Sequence, residues 1–331
     1  MRKVALLAAA LGLFAAPAAL PAAARHAATN GPIAFDAKVG NLFEVFTIDP
    51  DGASLRQVTH GRPEAGQYGL AWSPDGSSLL YQVPGKGYDV LDKANADGSD
   101  ASSWSPPCTG QCLGDDFPAY NPAGTRVAFE RAFGPIKNDN AAVCAIFTAN
   151  ARGGDLVQLT QKQVPTTTED HLAAWSPDGG KIAFRRLNTY AKPQGLSAIW
   201  VMNANGSDQH SVTPIELDAE AAQWSPDGKT IVFSSNASEA KGKDANVYSI
   251  RPNGTGLKQL TRYSGGLQAI VKDISPDGTQ ILFHLRVANE YGPGRNQLYV
   301  MNADGTGARQ LTHMPPRSDP GGGSARWATG S

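Results

Sequence analysis

The chain has 331 residues, with 29 Lys and Arg against 30 Asp and Glu, a formal net charge of -1. That balance excludes the basic excess by which proteins displace counterions from nucleic acid, and it gives an anionic membrane surface nothing to attract. Gly (36 residues) and Pro (23 residues) are plentiful, as suits many short strands joined by tight turns, because Gly supplies positive φ and Pro presets a turn value.

Residues 1–24 read as an export signal. Arg2 and Lys3 precede an apolar run from Val4 to Leu20, and Ala22-Ala23-Ala24 supplies a small-residue cleavage site. Pro17 and Pro21 interrupt the run, so a membrane anchor is the lesser reading. No cysteine follows the signal that could carry lipid, since the first is Cys108. The expectation is a mature chain that starts near Arg25, has a short lead-in over 25–30, and is secreted or periplasmic with no membrane span.

From Pro32 onward one unit repeats. Ala71-Trp72-Ser73-Pro74-Asp75-Gly76 recurs as Ala174-Trp175-Ser176-Pro177-Asp178-Gly179, as Gln223-Trp224-Ser225-Pro226-Asp227-Gly228 and as Asp273-Ile274-Ser275-Pro276-Asp277-Gly278. Ala119-Tyr120-Asn121-Pro122-Ala123-Gly124 is a weaker copy. The prolines at 74, 122, 177, 226 and 276 are 48, 55, 49 and 50 residues apart, a propeller-blade period rather than that of most solenoids. Each turn is followed by a β run, such as Ile182-Ala183-Phe184 or Ile281-Leu282-Phe283, so the two aromatics flank a hairpin of strands A and B. A second hairpin follows, as in Ile199-Trp200-Val201-Met202, Asn203-Ala204-Asn205-Gly206 and Ser211-Val212-Thr213. The Asn-x-Asp-Gly form of this turn lacks the spaced ligands and distal Glu of a calcium loop, and reads as a hairpin turn. Asn205, Asn236 and Asn253 open glycosylation triplets, two of which are this same turn.

The ends interlock. Pro32-Ile33-Ala34-Phe35 is a strand B with no strand A before it, and Ala325-Arg326-Trp327 is a strand A with no strand B after it. Five full repeats plus these fragments predict an all-β, six-bladed β-propeller over 31–331. Its blades are four-stranded and antiparallel, and the ring is closed when the C-terminal strand joins the N-terminal blade.

Cys108 and Cys112 share a Pro- and Gly-rich loop and, in an exported chain, read as a disulfide rather than as metal ligands. Cys144, in the strand Ala142 to Phe147, reads as a buried structural thiol.

The repeated Trp-Ser-Pro-Asp-Gly turn with its Ile-x-Phe strand resembles the TolB-like β-propeller family, a WD-repeat-like group, over nearly all of the mature chain. The chain passes from signal to propeller without the N-terminal α/β domain of TolB. It also has no Gly-x-Ser-x-Gly elbow such as the hydrolase domain of prolyl-peptidase-like propellers would carry. The resemblance implies the fold and leaves the ligand open.

Both repeated turns are expected on one face. The other face varies from blade to blade, as a recognition surface must. Four residues before the strand A aromatic stand Tyr68, Asp116, His171 and Glu220, with Asp115, Glu169, Asp170 and Asp218 beside them. Just after strand B stand Asp36, Gln82, Glu130, Arg185, Ser234 and His284, with Arg131 and Arg186 adjacent. The candidate ligand-binding mouth is therefore Tyr68, Asp116, Glu130, Asp170, His171, Arg185, Glu220 and His284. The favoured reading of its charges is salt bridging between neighbouring blades. The alternative is a cation held by Asp116, Asp170, His171 and Glu220, and spacing names no metal. The chain reads as a monomeric, non-catalytic binding or scaffold module without cofactor, holding a protein, peptide or glycan. The second reading is an extracellular polysaccharide lyase or hydrolase with a metal or acidic site at the channel mouth.

Overall fold

The computed structural model describes residues 29–60, 69–85, 88–109, 112–134, 143–161, 168–189, 195–237, 244–287, 296–315 and 318–330. The segment read as an export signal and the candidate Tyr68 lie outside them. Within them the chain is all-β, apart from one 3-10 turn at Ile215–Leu217.

The strands pair antiparallel in fours. The first unit is β1 (Thr29–Val39), β2 (Leu42–Ile48) and β3 (Arg56–Gln57), with the last strand of the chain, β24 (Ala325–Gly330), on the other side of β1. The second is β4 (Leu70–Trp72), β5 (Ser78–Pro84), β6 (Asp89–Asn95) and β7 (Ser102–Ser103). The third is β8 (Cys112–Tyr120), β9 (Arg126–Phe133), β10 (Val143–Asn150) and β11 (Val157–Gln158), linked to the second by a lone parallel pairing of Asp89 with Gly114. The fourth is β12 (Thr168–Trp175), β13 (Lys181–Asn188), β14 (Ser197–Asn203) and β15 (His210–Ser211). The fifth is β16 (Ala219–Trp224), β17 (Ile231–Ser235), β18 (Asn246–Ile250) and β19 (Lys258–Gln259). The sixth is β20 (Leu267–Ile274), β21 (Gln280–Val287), β22 (Gln297–Asn302) and β23 (Arg309–Gln310). The two chain ends meet in one sheet, with Trp327 opposite Ile33.

Apolar residues are buried between successive sheets. Val127, Phe129 and Phe147 of the third unit pack on Leu80 and Leu91 of the second. Ile33, Phe35 and Trp327 of the first pack on Leu282, Leu298 and Val300 of the sixth. The first strands of successive units also touch, β24 meeting both β20 and β4. Here the repeated tryptophan has its reason. Its indole N–H donates across the sheet gap to a first-strand carbonyl of the preceding unit, from Trp72 to Arg326 (3.2 Å), Trp175 to Ala119 (3.1 Å) and Trp224 to Ala174 (3.2 Å). Burying so large a ring leaves its one donor in need of a partner, and the neighbouring backbone supplies it.

Two residues beyond the two-residue fourth strands a hydroxyl accepts a third-strand N–H, as Thr160 does from Ile146 (3.0 Å), Thr312 from Leu298 (3.0 Å) and, in the second unit, Ser105 from Leu91 (2.8 Å). A side chain thus satisfies a donor that the shortened strand no longer reaches. The two repeated turns of a unit touch each other, the Ala204 N–H donating to Gly180 and that of Ala303 to Thr279. The second turn also approaches the preceding sheet. At Gly305, with φ of 95°, a Cβ would fall on the Leu260 carbonyl, so only glycine fits. The Cys108 and Cys112 sulfurs are bonded, and Cys144 is free.

Candidate functional site

The face opposite the turns is shaped by a recurring defect in the first strands. Register shifts interrupt the pairing between Asp116 and Ala119, His171 and Ala174, and Glu220 and Gln223. At each shift a residue takes left-handed backbone: Phe117 (φ 48°), Leu172 (φ 55°) and Ala221 (φ 55°). The equivalent residue of the second unit is Gly69, φ 124°. Bulges of this kind re-aim the neighbouring side chain, and left-handed backbone at non-glycine residues is a strain that functional surfaces retain. The residues immediately before the three bulges are Asp116, His171 and Glu220. They pair with Glu130, Arg185 and Ser234 of the second strands.

The third and fourth units bring most of the candidates together. His171 Nδ1 lies 2.9 Å from Glu130 Oε1 across the gap between sheets, and its Nε2 lies 3.4 Å from Glu169 Oε2 without hydrogen-bond alignment. Burial pulls the His171 pKa down, but Glu130, and then Glu169, outweigh it and raise it to about 9, so the ring is an imidazolium at neutral pH. Asp116, across the pairing from Glu130, is driven up to about 8, first by burial and then by the charges of Glu130, Asp89 and Asp115. Cys144 was expected to be a core thiol. It is only half-buried, because β10 places it diagonally from Glu130 on the same sheet face. Its thiol is raised by burial and then by Glu130. One ligating atom each from Glu130, Cys144 and His171 lies within 4.8 Å of the others.

The expected arginine–carboxylate bridges between blades are corrected by the structure: among the described residues these pairs run within a sheet, and the ion pair that crosses between sheets is His171–Glu130. Arg131 grips Asp115 with Nε (2.6 Å) and Nη2 (2.8 Å), and its Nη2 also reaches the Pro106 carbonyl of the cysteine loop. Arg186 grips Asp170 in the same way (2.7 and 2.9 Å), and Gln161 donates to that carboxylate as well. Alternation along the strand puts Asp115 and Asp170 on the face opposite Asp116 and His171. Asp170 is therefore held in a structural pair, apart from the mouth group.

Glu220 stands on the fifth unit and accepts from Asn236 at 3.3 Å. His284 is fully buried on the sixth, with burial lowering its pKa, and its Nε2 lies 3.4 Å from Asp319. Several deeply buried atoms of the second-strand positions find no hydrogen-bond partner among the described residues: both amide atoms of Gln82, Oε2 of Glu130 and Nε of Arg185. Asp116 Oδ1 is in the same condition.

Reading the sequence missed a second charged cluster. Lys272 Nζ is buried, donates to the Gly322 and Gly323 carbonyls (3.1 and 3.2 Å), and stands beside Asp36, which accepts from the Ser324 N–H at 2.6 Å. Burial pushes the carboxyl up and the amine down, and their mutual attraction opposes both shifts. The available signal was the lysine inside the otherwise apolar run Ala269-Ile270-Val271-Lys272.

The family described as the TolB beta propeller domain matches residues 109–320. TolB from Acinetobacter baumannii superposes with a TM-score of 0.65 at 17% identity, over 90% of this chain and 66% of that one, so the chain spans just under two thirds of that protein's length. A chain of the nidogen/laminin complex superposes with a TM-score of 0.61 at 9% identity, over 90% of this chain and 98% of its own. An oligogalacturonate lyase in complex with manganese gives 0.57 at 15% identity, over 85% of this chain and 73% of that one. No curated protein matches the chain. The three likenesses are to one fold, found in a protein complex and in an enzyme alike.

Proposed function

The chain belongs to the TolB β-propeller family, and on that footing we propose that it is an exported, monomeric binding module that recognises a protein, peptide or glycan at the mouth opposite its repeated turns. The ring is six-bladed and closed by β24. This is supported by the pairing of β24 with β1, by the contacts of β24 with β20 and β4, and by the core between the first and sixth units. No described helix is long and apolar enough to cross a membrane, and residues 1–24 serve as a cleaved leader. N-terminal sequencing of the exported protein should begin near Arg25.

One observation carries the choice of face. Buried polar atoms of Gln82, Glu130 and Arg185, each just after a second-strand aromatic, and of Asp116, paired with Glu130, have no hydrogen-bond partner among the described residues. An unpartnered buried polar group costs about 1–3 kcal/mol, and a bound ligand able to donate and accept would recover it. The turn face, in contrast, satisfies itself: Asp75, Asp178, Asp227 and Asp277 are all taken up by their own turns.

The test is a peptide and glycan array probed with the mature chain, with an Asp116→Ala/Glu220→Ala variant and with Asp227→Ala on the turn face. Binding should be lost in the first variant and kept in the second. The reverse pattern would move the site to the turns. The alternative, a polysaccharide lyase or hydrolase, is favoured by the grouping of Glu130, Cys144 and His171. It predicts new reducing ends, and for a lyase an unsaturated uronate absorbing in the ultraviolet, when the chain is incubated with polyuronates.

A further inference from the structure

Glu130, Cys144 and His171 come from three strands and two sheets, β9 and β10 on one side and β12 on the other. A carboxylate, a thiol and an imidazole are the donors that a borderline-soft divalent ion takes together, whereas calcium and magnesium take oxygen alone. We propose that these three side chains form a zinc-class transition-metal site bridging the third and fourth sheets.

Geometry and connectivity support it. Tetrahedral zinc with ordinary bond lengths sets its ligand atoms about 3.3–3.6 Å apart. The three donors already lie within 4.8 Å of one another, and His171 Nδ1 is 2.9 Å from Glu130 Oε1, so side-chain rotation alone brings them into range. Glu130 is nine-tenths buried, and its Oε2 has no hydrogen-bond partner among the described residues. A buried carboxylate with a spare oxygen, within reach of a thiol and an imidazole, is an incomplete coordination shell.

A divalent ion takes these donors as carboxylate, imidazole and thiolate, so its binding releases protons from the site. Asp116 on β8 is paired with Glu130, and Arg185 on β13 with His171. Three protein ligands leave a fourth position for water or a ligand atom. The site uses residues of the recognition mouth but requires no partner to be bound there.

The test uses the full mature chain, stripped with chelator and then titrated with zinc and, separately, with cobalt. A single equivalent of zinc should bind, and the cobalt form should show both the visible bands of a tetrahedral site and a thiolate charge-transfer band. Cys144→Ser should lose that band, and zinc affinity should fall about tenfold or more, as in Glu130→Gln. A parallel measurement needs no variant. Cys144 is the one free cysteine of the chain, so zinc should slow its alkylation about tenfold or more. A parent chain that takes up no zinc, a cobalt form without the thiolate band, or alkylation unchanged by zinc would each overturn the site. Because no partner enters these measurements, failure here leaves array binding at the mouth untouched, and failure on the arrays leaves the metal site standing.

Discussion

A serine hydroxyl, an aspartate and backbone amides make four of the five repeated turns self-contained. Ser73 donates to Asp75 Oδ1 at 2.6 Å and Ser176 to Asp178 at 2.6 Å, while the N–H groups of Ser77 and Gly180 bind the same oxygens. These donors hold the Asp75 carboxyl at about 2, and those of Asp178 and Asp227 below their ordinary value. For Asp277 burial opposes the shift, but the hydrogen bonds from Ser275 and Thr279 prevail. A carboxyl with a depressed folded-state pKa contributes its stability fully above the unfolded value of 3.8, and loses it as pH falls toward the folded value. Calorimetric melting should therefore drop as pH goes from 4 toward 2, and Asp178→Asn with Asp227→Asn should flatten that drop. An equally steep drop in the variant would remove these turns as its cause. Trp224→Phe keeps most of the packing but deletes the hydrogen bond to Ala174, so denaturant unfolding should register a loss of about 1–3 kcal/mol. A loss near zero would mean that the indole bond contributes nothing net.

The bulged first strand is the element on which the proposed recognition face rests. Phe117, Leu172 and Ala221 occupy left-handed backbone at a cost of roughly 1–2 kcal/mol each, a cost that glycine avoids. Ala221→Gly is accordingly expected to raise stability by up to about 1 kcal/mol, the opposite of the usual effect of glycine in a strand. Loss of stability in that variant would show that the bulge is not strained. The bulge also explains how far the sequence could be read. The hairpin turns, the flanking aromatics and the pairing of Trp327 with Ile33 follow from residue type and period alone. So does the approach of Asp116, Glu130, His171 and Arg185, because all four keep a fixed distance from an aromatic. What could not be read was the partner of each charge. Asp115 and Asp170 differ from Asp116 and His171 by one step along the strand, and which of each pair meets arginine depends on the register after the bulge. Cys144 was hidden for a similar reason, since an apolar run such as Val143 to Phe147 does not mark which alternate side chain meets the mouth.

At the scale of the molecule, sheets that each bury little alone gain stability from their two neighbours, as in other repeat folds. Removing one strand at the closure therefore weakens two contacts, that of β24 with β1 and the core between the first and sixth units. A chain ending at Gly321 loses β24 and frees Asp36 from the Ser324 N–H. Its melting temperature should fall well below that of the full chain, while a chain lacking only Ser331 should be unaffected. Equal melting of the Gly321 chain and its parent would refute closure. If the ring holds as proposed, its varied face is where a ligand is read. The measurement that tests this most directly is hydrogen exchange of the full mature chain with and without a peptide or glycan selected on the arrays. Protection confined to 112–120, 126–133, 168–175 and 181–188, the strands carrying Asp116, Glu130, His171 and Arg185, is the predicted result. Protection instead at the turns 73–78, 176–181, 225–230 and 275–280 would contradict it.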